Sequence, residues 1–184
     1  KVLNKFQSLS KIPLMVSIDG EWGLDMRLDS TVKYPLQMTL GAIQDESLIY
    51  QMGVDIGEQC KRLGIHVNFA PVVDVNVNPK NPIINARSFG EDKKNVASKG
   101  IAYMKGMQSV NVIANAKHFP GHGDTDQDSH KSLPTINHPK ERIDSIELYP
   151  FYELINNGLA SMMVAHLYIP AYVKEKNMAT TLSK

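Results

Sequence analysis

Val110-Asn111-Val112-Ile113-Ala114-Asn115-Ala116-Lys117-His118 is the stretch whose reading decides the fold. A short run of mostly β-branched or small residues ends on a lysine and a histidine. Buried parallel strands have this near-continuous apolar character. The polar pair falls where α/β folds assemble their sites, just past a strand. Three other runs share the form, at residues 14–18, 67–75 and 161–167. Asp19 and Glu21 follow the first, Asp74 sits late in the second with Arg87 in the loop beyond it, and His166 ends the fourth.

Helical patterns separate these runs. Leu48, Ile49, Met52, Ile56, Cys60 and Leu63 recur at helical spacing, with Asp45 as N-cap and Gly64 as stop. Val96, Gly100, Tyr103, Met104 and Met107 form a second stripe, started by Asp92. Phe151, Leu154 and Ile155 form a third, with Pro150 in its first turn and Gly158 at its end. The order β-α-β-α-β-α-β predicts a parallel sheet with helices outside it. Neither G-x-G-x-x-G nor G-x-x-x-x-G-K-[ST] follows any strand, which removes the usual signs of a doubly wound nucleotide fold. The expected fold class is α/β, a partial (β/α)8 TIM barrel of about four to five βα units.

The chain's 184 residues suffice for one domain with a sizeable core. Hydrophobic residues at 42% and charged residues at 21% argue against disorder. A formal charge of +1 gives no electropositive surplus for nucleic acid, and no apolar run reaches the ~20 residues of a membrane span. Cys60, the single cysteine, can form neither an internal disulfide nor a thiolate metal site. No cofactor is called for. The chain begins at Lys1 without an initiator Met, as a mature form or a piece of a longer protein would. Its compartment stays open between periplasmic or secreted and cytoplasmic.

The densest chemistry lies in Lys117-His118-Phe119-Pro120-Gly121-His122-Gly123-Asp124-Thr125-Asp126-Gln127-Asp128-Ser129-His130. A solvated loop is one reading, and strand-end loops that carry function are the other. Asp124-x-Asp126-x-Asp128 opens like a calcium loop, but Ser129 and Thr135 stand where Gly and Glu are required. His118 and His122 are four apart, yet Pro120 and Gly121 between them prevent a common helical face. A metal-dependent hydrolase remains an alternative, with His118, His122 and His130 as the ligands to test.

The same stretch resembles the signature of family 3 glycoside hydrolases in their β-N-acetylglucosaminidase branch, K-H-F-P-G-H-G followed closely by D-S-H. Both halves stand intact, as residues 117–123 and 128–130. Ile18-Asp19-Gly20-Glu21-Trp22-Gly23 with Arg27 resembles the family's D-x-E-G-G-R-V-x-R, although Trp22 replaces a Gly and Leu24 the first Arg. Asn68-Phe69-Ala70-Pro71-Val72-Val73-Asp74-Val75, Arg87-Ser88-Phe89-Gly90 and Met163-Val164-Ala165-His166 are also family-like.

The resemblance implies a retaining mechanism on a (β/α)8 barrel, in which an aspartate forms a glycosyl-enzyme intermediate. It makes His130 the general acid/base and Asp128 its partner. Histidine suits that task because it titrates near neutrality, and a neighbouring carboxylate fixes its tautomer. Asp19, Arg87, Lys117 and His118 would bind sugar hydroxyls, with Arg27 and His166 as further members. Asp74 and His166 could equally be buried, hydrogen-bonded core residues. Trp22 is either a stacking platform or a packed aromatic. The family nucleophile sits in a later strand-end motif, and no aspartate occurs after His166. Residues 1–184 are therefore expected to be an internal fragment of the family's catalytic barrel, lacking the first and last βα units and inactive alone. The implied partner is a small carbohydrate, an N-acetylglucosaminide or a muropeptide fragment. The alternatives are a phosphorolytic N-acetylglucosaminidase, a non-catalytic carbohydrate-binding module and the metal-dependent hydrolase.

Overall fold

In the computed structural model, which describes residues 2–126 and 133–183, four parallel strands form one sheet. They are Ser17–Ile18 (β1), Val67–Asn68 (β2), Ile113–Phe119 (β3) and Ser161–Val164 (β4), and they neighbour one another in chain order. Ser17 pairs with Val67, Val67 with Ile113, and Asn115 with Ser161. Parallel neighbours joined through helices, in sequence order, are the arrangement of an arc of a (β/α)8 barrel.

The strands differ from the apolar runs in instructive ways. Leu14 and Met15 are exposed, and pairing starts only at Ser17. In the second run the regular ladder ends at Asn68, because the Ala70 N–H turns back to the Asn68 carbonyl and Pro71 has no N–H to give. Contact with the third strand continues all the same: the Asn115 and Lys117 N–H groups donate to the Ala70 and Pro71 carbonyls, Val72 bridges Lys117, and the Val73 N–H donates to the Lys117 carbonyl. The third run continues further than its apolar character does. Lys117 and His118, expected just past the strand, lie inside β3.

Helices fill the connections. Val2–Leu9 (α1), unassigned from sequence, buries no residue. Gln37–Gly41 (α2) is a single short piece before the long Glu46–Leu63 (α3). Asp45 caps α3 by accepting the Ser47 N–H, and Gly64 ends it in the left-handed region at φ 77°. Lys93–Ser109 (α4) starts at Asp92, whose side chain accepts the Asn95 N–H. Lys140–Ser145 (α5) and Tyr149–Asn156 (α6) follow, with Pro150 in the first turn of α6. Ile49, Met52, Ile56 and Cys60 of α3 join Tyr103, Met104 and Met107 of α4 and Phe151 and Leu154 of α6 in one core over Val73, Ala114 and Ala116. Leu48, Leu63 and Ile155, counted in the helical stripes, are exposed. Each stands off the contact face that its neighbours already fill, because successive helical positions turn by about 100°.

The α3–α4 crossing is unusually close. A Cβ on Gly106 would lie 2.2 Å from the Tyr50 carbonyl oxygen and 2.9 Å from the Gly53 Cα. A second, smaller core of Ile136, Ile143, Leu148, Leu167 and Ile169 fastens the segment after β4 to α5.

Candidate active site

At the carboxyl end of the sheet, the loop after β1 is clamped by two distant side chains. Asn68 exchanges two hydrogen bonds with the Gly20 backbone, and the Tyr103 hydroxyl donates to the Gly20 and Glu21 carbonyls. The clamp holds Asp19, just past β1, and Glu21, in the turn that follows, to one side.

Both carboxylates meet Lys117 of β3. Its Nζ lies 2.8 Å from Asp19 Oδ1 and 2.8 Å from Glu21 Oε1, although the side chain is only 2% exposed. Glu21 also accepts a fork from Arg87, with Nε at 2.8 Å and Nη2 at 2.7 Å. Arg87 is steadied in turn by the Ile83 carbonyl. Arg27 approaches Asp19 at 3.3 Å from the exposed rim. Burial opposes ionisation of Glu21, but Arg87 and Lys117 outweigh it and hold the carboxyl below its ordinary value. Asp19 is lowered for the same reason, by Lys117 and Arg27 against partial burial.

Behind this wall sits Asp74, fully buried. Its carboxylate accepts the His122 N–H at 2.6 Å and the His118 N–H at 3.2 Å, and it faces His118 Nδ1 at 2.7 Å. Burial pulls its pKa upward, yet His118 and these bonds bring it below the ordinary value. The other ring nitrogen of His118 lies 3.4 Å from Arg87 Nη2.

Residues 121–126 turn away under tight constraint. Gly121 has φ 126°, and a Cβ there would come within 2.7 Å of Glu147 Cβ. His122 is buried, with Nδ1 2.6 Å from Thr125 Oγ1, and burial lowers its pKa so that it stays neutral. Beyond it, Asp124 pairs with His138 at 2.5 Å, and Arg142 joins Asp124 to the buried Glu147.

Glu21 and His122 are among the residues that wall a cavity of roughly 610 Å³. Asp19, Arg87, Lys117 and His118 reach it together, with Arg27 at its rim and His166 on the far side. The two residues that could be core or site divide: Asp74 is core, whereas His166 is exposed and bonds Thr181 through Nδ1. Trp22 is half-buried on the cavity wall. Asp128 and His130 lie outside the described residues. Among the described residues, no three His, Cys, Asp or Glu side chains stand together as ion ligands. His118 and His122 turn their Nδ1 atoms to Asp74 and Thr125, and His130, the third ligand of the metal alternative, lies outside the described residues. Cys60 is buried, and its thiol is pushed up to about 11, far from nucleophilic use.

Sequence reasoning left Glu21 out of the site, although it shares Lys117 with Asp19 from the turn two residues on. It also left Asp74 undecided. A strand-end aspartate looks the same in sequence whether it lines a cavity or supports a residue that does.

A buried lysine held by two carboxylates, beside an arginine and an oriented imidazole, suits a ligand rich in hydroxyls. The comparisons agree with that chemistry. The family model of the glycosyl hydrolase family 3 N-terminal domain matches residues 3–184, and the chain belongs to this family. It is 40% identical over 176 residues to β-hexosaminidase A of Pseudoalteromonas piscicida, covering 92% of this chain and 29% of that protein. Among solved structures, a glycoside hydrolase family 3 β-N-acetylglucosaminidase from Paenibacillus sp. matches with TM-score 0.88 and 46% identity, over 94% of this chain and 33% of that one. The β-glucoside phosphorylase BglX, bound to 2FGlc, matches with TM-score 0.92 and 26% identity, over 97% and 34%. The chain thus spans about a third of the length of these relatives.

Proposed function

We propose that this chain is part of a retaining glycosidase that releases terminal β-linked N-acetylglucosamine, from N-acetylglucosaminides or muropeptide fragments such as those of peptidoglycan recycling. One observation carries the reading: Asp19, Arg87, Lys117 and His118 meet at one cavity, and the chain that leaves Lys117 and His118 runs directly into the segment bearing Asp128 and His130. In this reading Asp19, Lys117, Arg87 and His118 bind sugar hydroxyls, and Arg27 and His166 close the rim. His130, oriented by Asp128, protonates the leaving oxygen and then deprotonates water. The nucleophilic aspartate belongs to sequence outside this chain, since no aspartate follows His166. Residues 1–184 are accordingly an internal part of the catalytic barrel, without its first and last βα units and inactive alone.

The test is a leaving-group series on the full-length enzyme. His130→Ala should slow glycosylation by aryl N-acetylglucosaminides with poor leaving groups far more than by those with good ones, by about a hundredfold or more. An equal loss across the series removes His130 from the acid role. Phosphorolysis is the second reading, supported by the likeness to the β-glucoside phosphorylase. The product separates the two: free sugar without phosphate dependence means hydrolysis, and sugar 1-phosphate means phosphorolysis.

A further inference from the structure

We infer that Asp74 is a positioning residue that fixes the tautomer of His118, and that this tautomer makes His118 and Arg87 a joint receptor for one free hydroxyl of the ligand. Two independent contacts define the imidazole. Asp74 Oδ2 lies 2.7 Å from Nδ1, and the carboxylate already accepts the backbone N–H groups of His118 and His122, so Nδ1 is the side of the pair that carries the proton. A guanidinium only donates, so Arg87 Nη2, 3.4 Å from Nε2, is matched by a lone pair there and opposed by an N–H. The two contacts together select the tautomer with Nδ1–H turned to Asp74 and the Nε2 lone pair on the side of Arg87 and the cavity.

The consequence is chemical selectivity. A hydroxyl placed between the two can donate its proton to His118 Nε2 and accept from Arg87 Nη2. An ether or fluorine can accept from Arg87 but cannot donate, so Nε2 keeps only its long contact with Arg87. Asp74 also accepts the backbone N–H groups of His118 and His122, which fixes both ring and chain. With asparagine at position 74, the amide oxygen can still accept those N–H groups. Its NH2 would then face Nδ1 and drive the proton to Nε2, where it meets the Arg87 donors head-on. The inference rests on the glycosidase reading only for the ligand's identity.

The tautomer can be read directly in the full-length protein by 15N NMR of its histidines, with His118→Gln supplying the assignment. Protonated Nδ1 and bare Nε2 at His118 are expected, and a protonated Nε2 in the unmutated protein overturns the proposal even if Asp74→Asn fails to fold. The second arm measures binding of monodeoxy and deoxyfluoro N-acetylglucosamines. One position should lose about tenfold or more for both replacements, and Asp74→Asn should remove that preference while weakening the other analogues less. Uniform weakening across the series overturns the link from Asp74 to the hydroxyl. Failure of the unmutated enzyme to cleave any N-acetylglucosaminide would strike the glycosidase reading and leave the NMR result standing.

Discussion

Glu21 shows how much of the site depends on charges that never meet bulk water. Its side chain is 1% exposed, and it accepts from both Arg87 and Lys117. Taking either partner away strands a desolvated charge, which costs about 3 kcal/mol or more, whereas removing a matched pair costs less than the sum. Glu21→Gln and Arg87→Met should therefore each destabilise the chain, and their double variant should show a coupling of about 2 kcal/mol in urea denaturation. Strict additivity would mean that the fork contributes nothing. At this scale the sequence reveals part of the site for a clear reason. Asp19, Lys117 and His118 each adjoin an apolar run, and a charged residue there has only the sheet end to occupy. The role of Asp74 is not legible in the same way. Its surroundings come from His118 and His122, more than forty residues away, and no local pattern encodes that meeting.

At the scale of elements, the helices are more legible than the strands. The extents of α3 and α4 follow from periodicity together with Asp45, Gly64 and Asp92, all local signals. Strand ends depend on a partner instead. β2 stops early because the Ala70 N–H turns back to Asn68 and Pro71 cannot donate, and β3 continues through Lys117 because Val72 and Val73 still pair with it. The crossing of α3 and α4 makes a sharper demand, since Gly106 packs its Cα against Gly53 and the Tyr50 carbonyl. Backbone atoms cannot retreat as a flexible side chain can. Gly106→Ala should destabilise by about 2 kcal/mol through overpacking, despite alanine's better helix propensity. Gly158→Ala makes a useful contrast, because its Cβ would meet nothing within 4 Å and only the positive φ of 90° would penalise it. Thermal melts of the two variants separate crowding from backbone strain. A Gly106→Ala protein as stable as the parent would show that the helices can separate without loss.

For the molecule as a whole, the buried charges set the response to acid. Asp19, Glu21 and Asp74 have folded pKa values below their ordinary 3.8, 4.5 and 3.8, and His122 lies below 6.5. For each, the unfolded chain binds the proton more readily than the folded one. Stability is then fully present above the unfolded pKa and is lost as pH falls through the folded value. His122 acts first, because protonation of the unfolded chain begins to compete below about pH 6.5 and burial keeps the folded imidazole neutral. The three carboxylates follow below about pH 4.5. Glu147 works against them. Burial raises its pKa despite Arg142, so its effect is to favour the folded state slightly on acidification from neutral pH toward its ordinary value. One half-masked opposing group does not cancel Asp74, whose carboxylate holds two backbone N–H groups and a ring. Urea midpoints measured from pH 8 to pH 3 should be flat above pH 7, decline gently between pH 6.5 and 5, and fall steeply below about 4.5. His122→Gln should erase the gentle decline and keep the steep one, and Asp74→Asn should reduce the steep one. A gain of stability between pH 7 and pH 5 that persists in a Glu147→Gln variant and disappears in His122→Gln would mean that His122 is charged in the folded state.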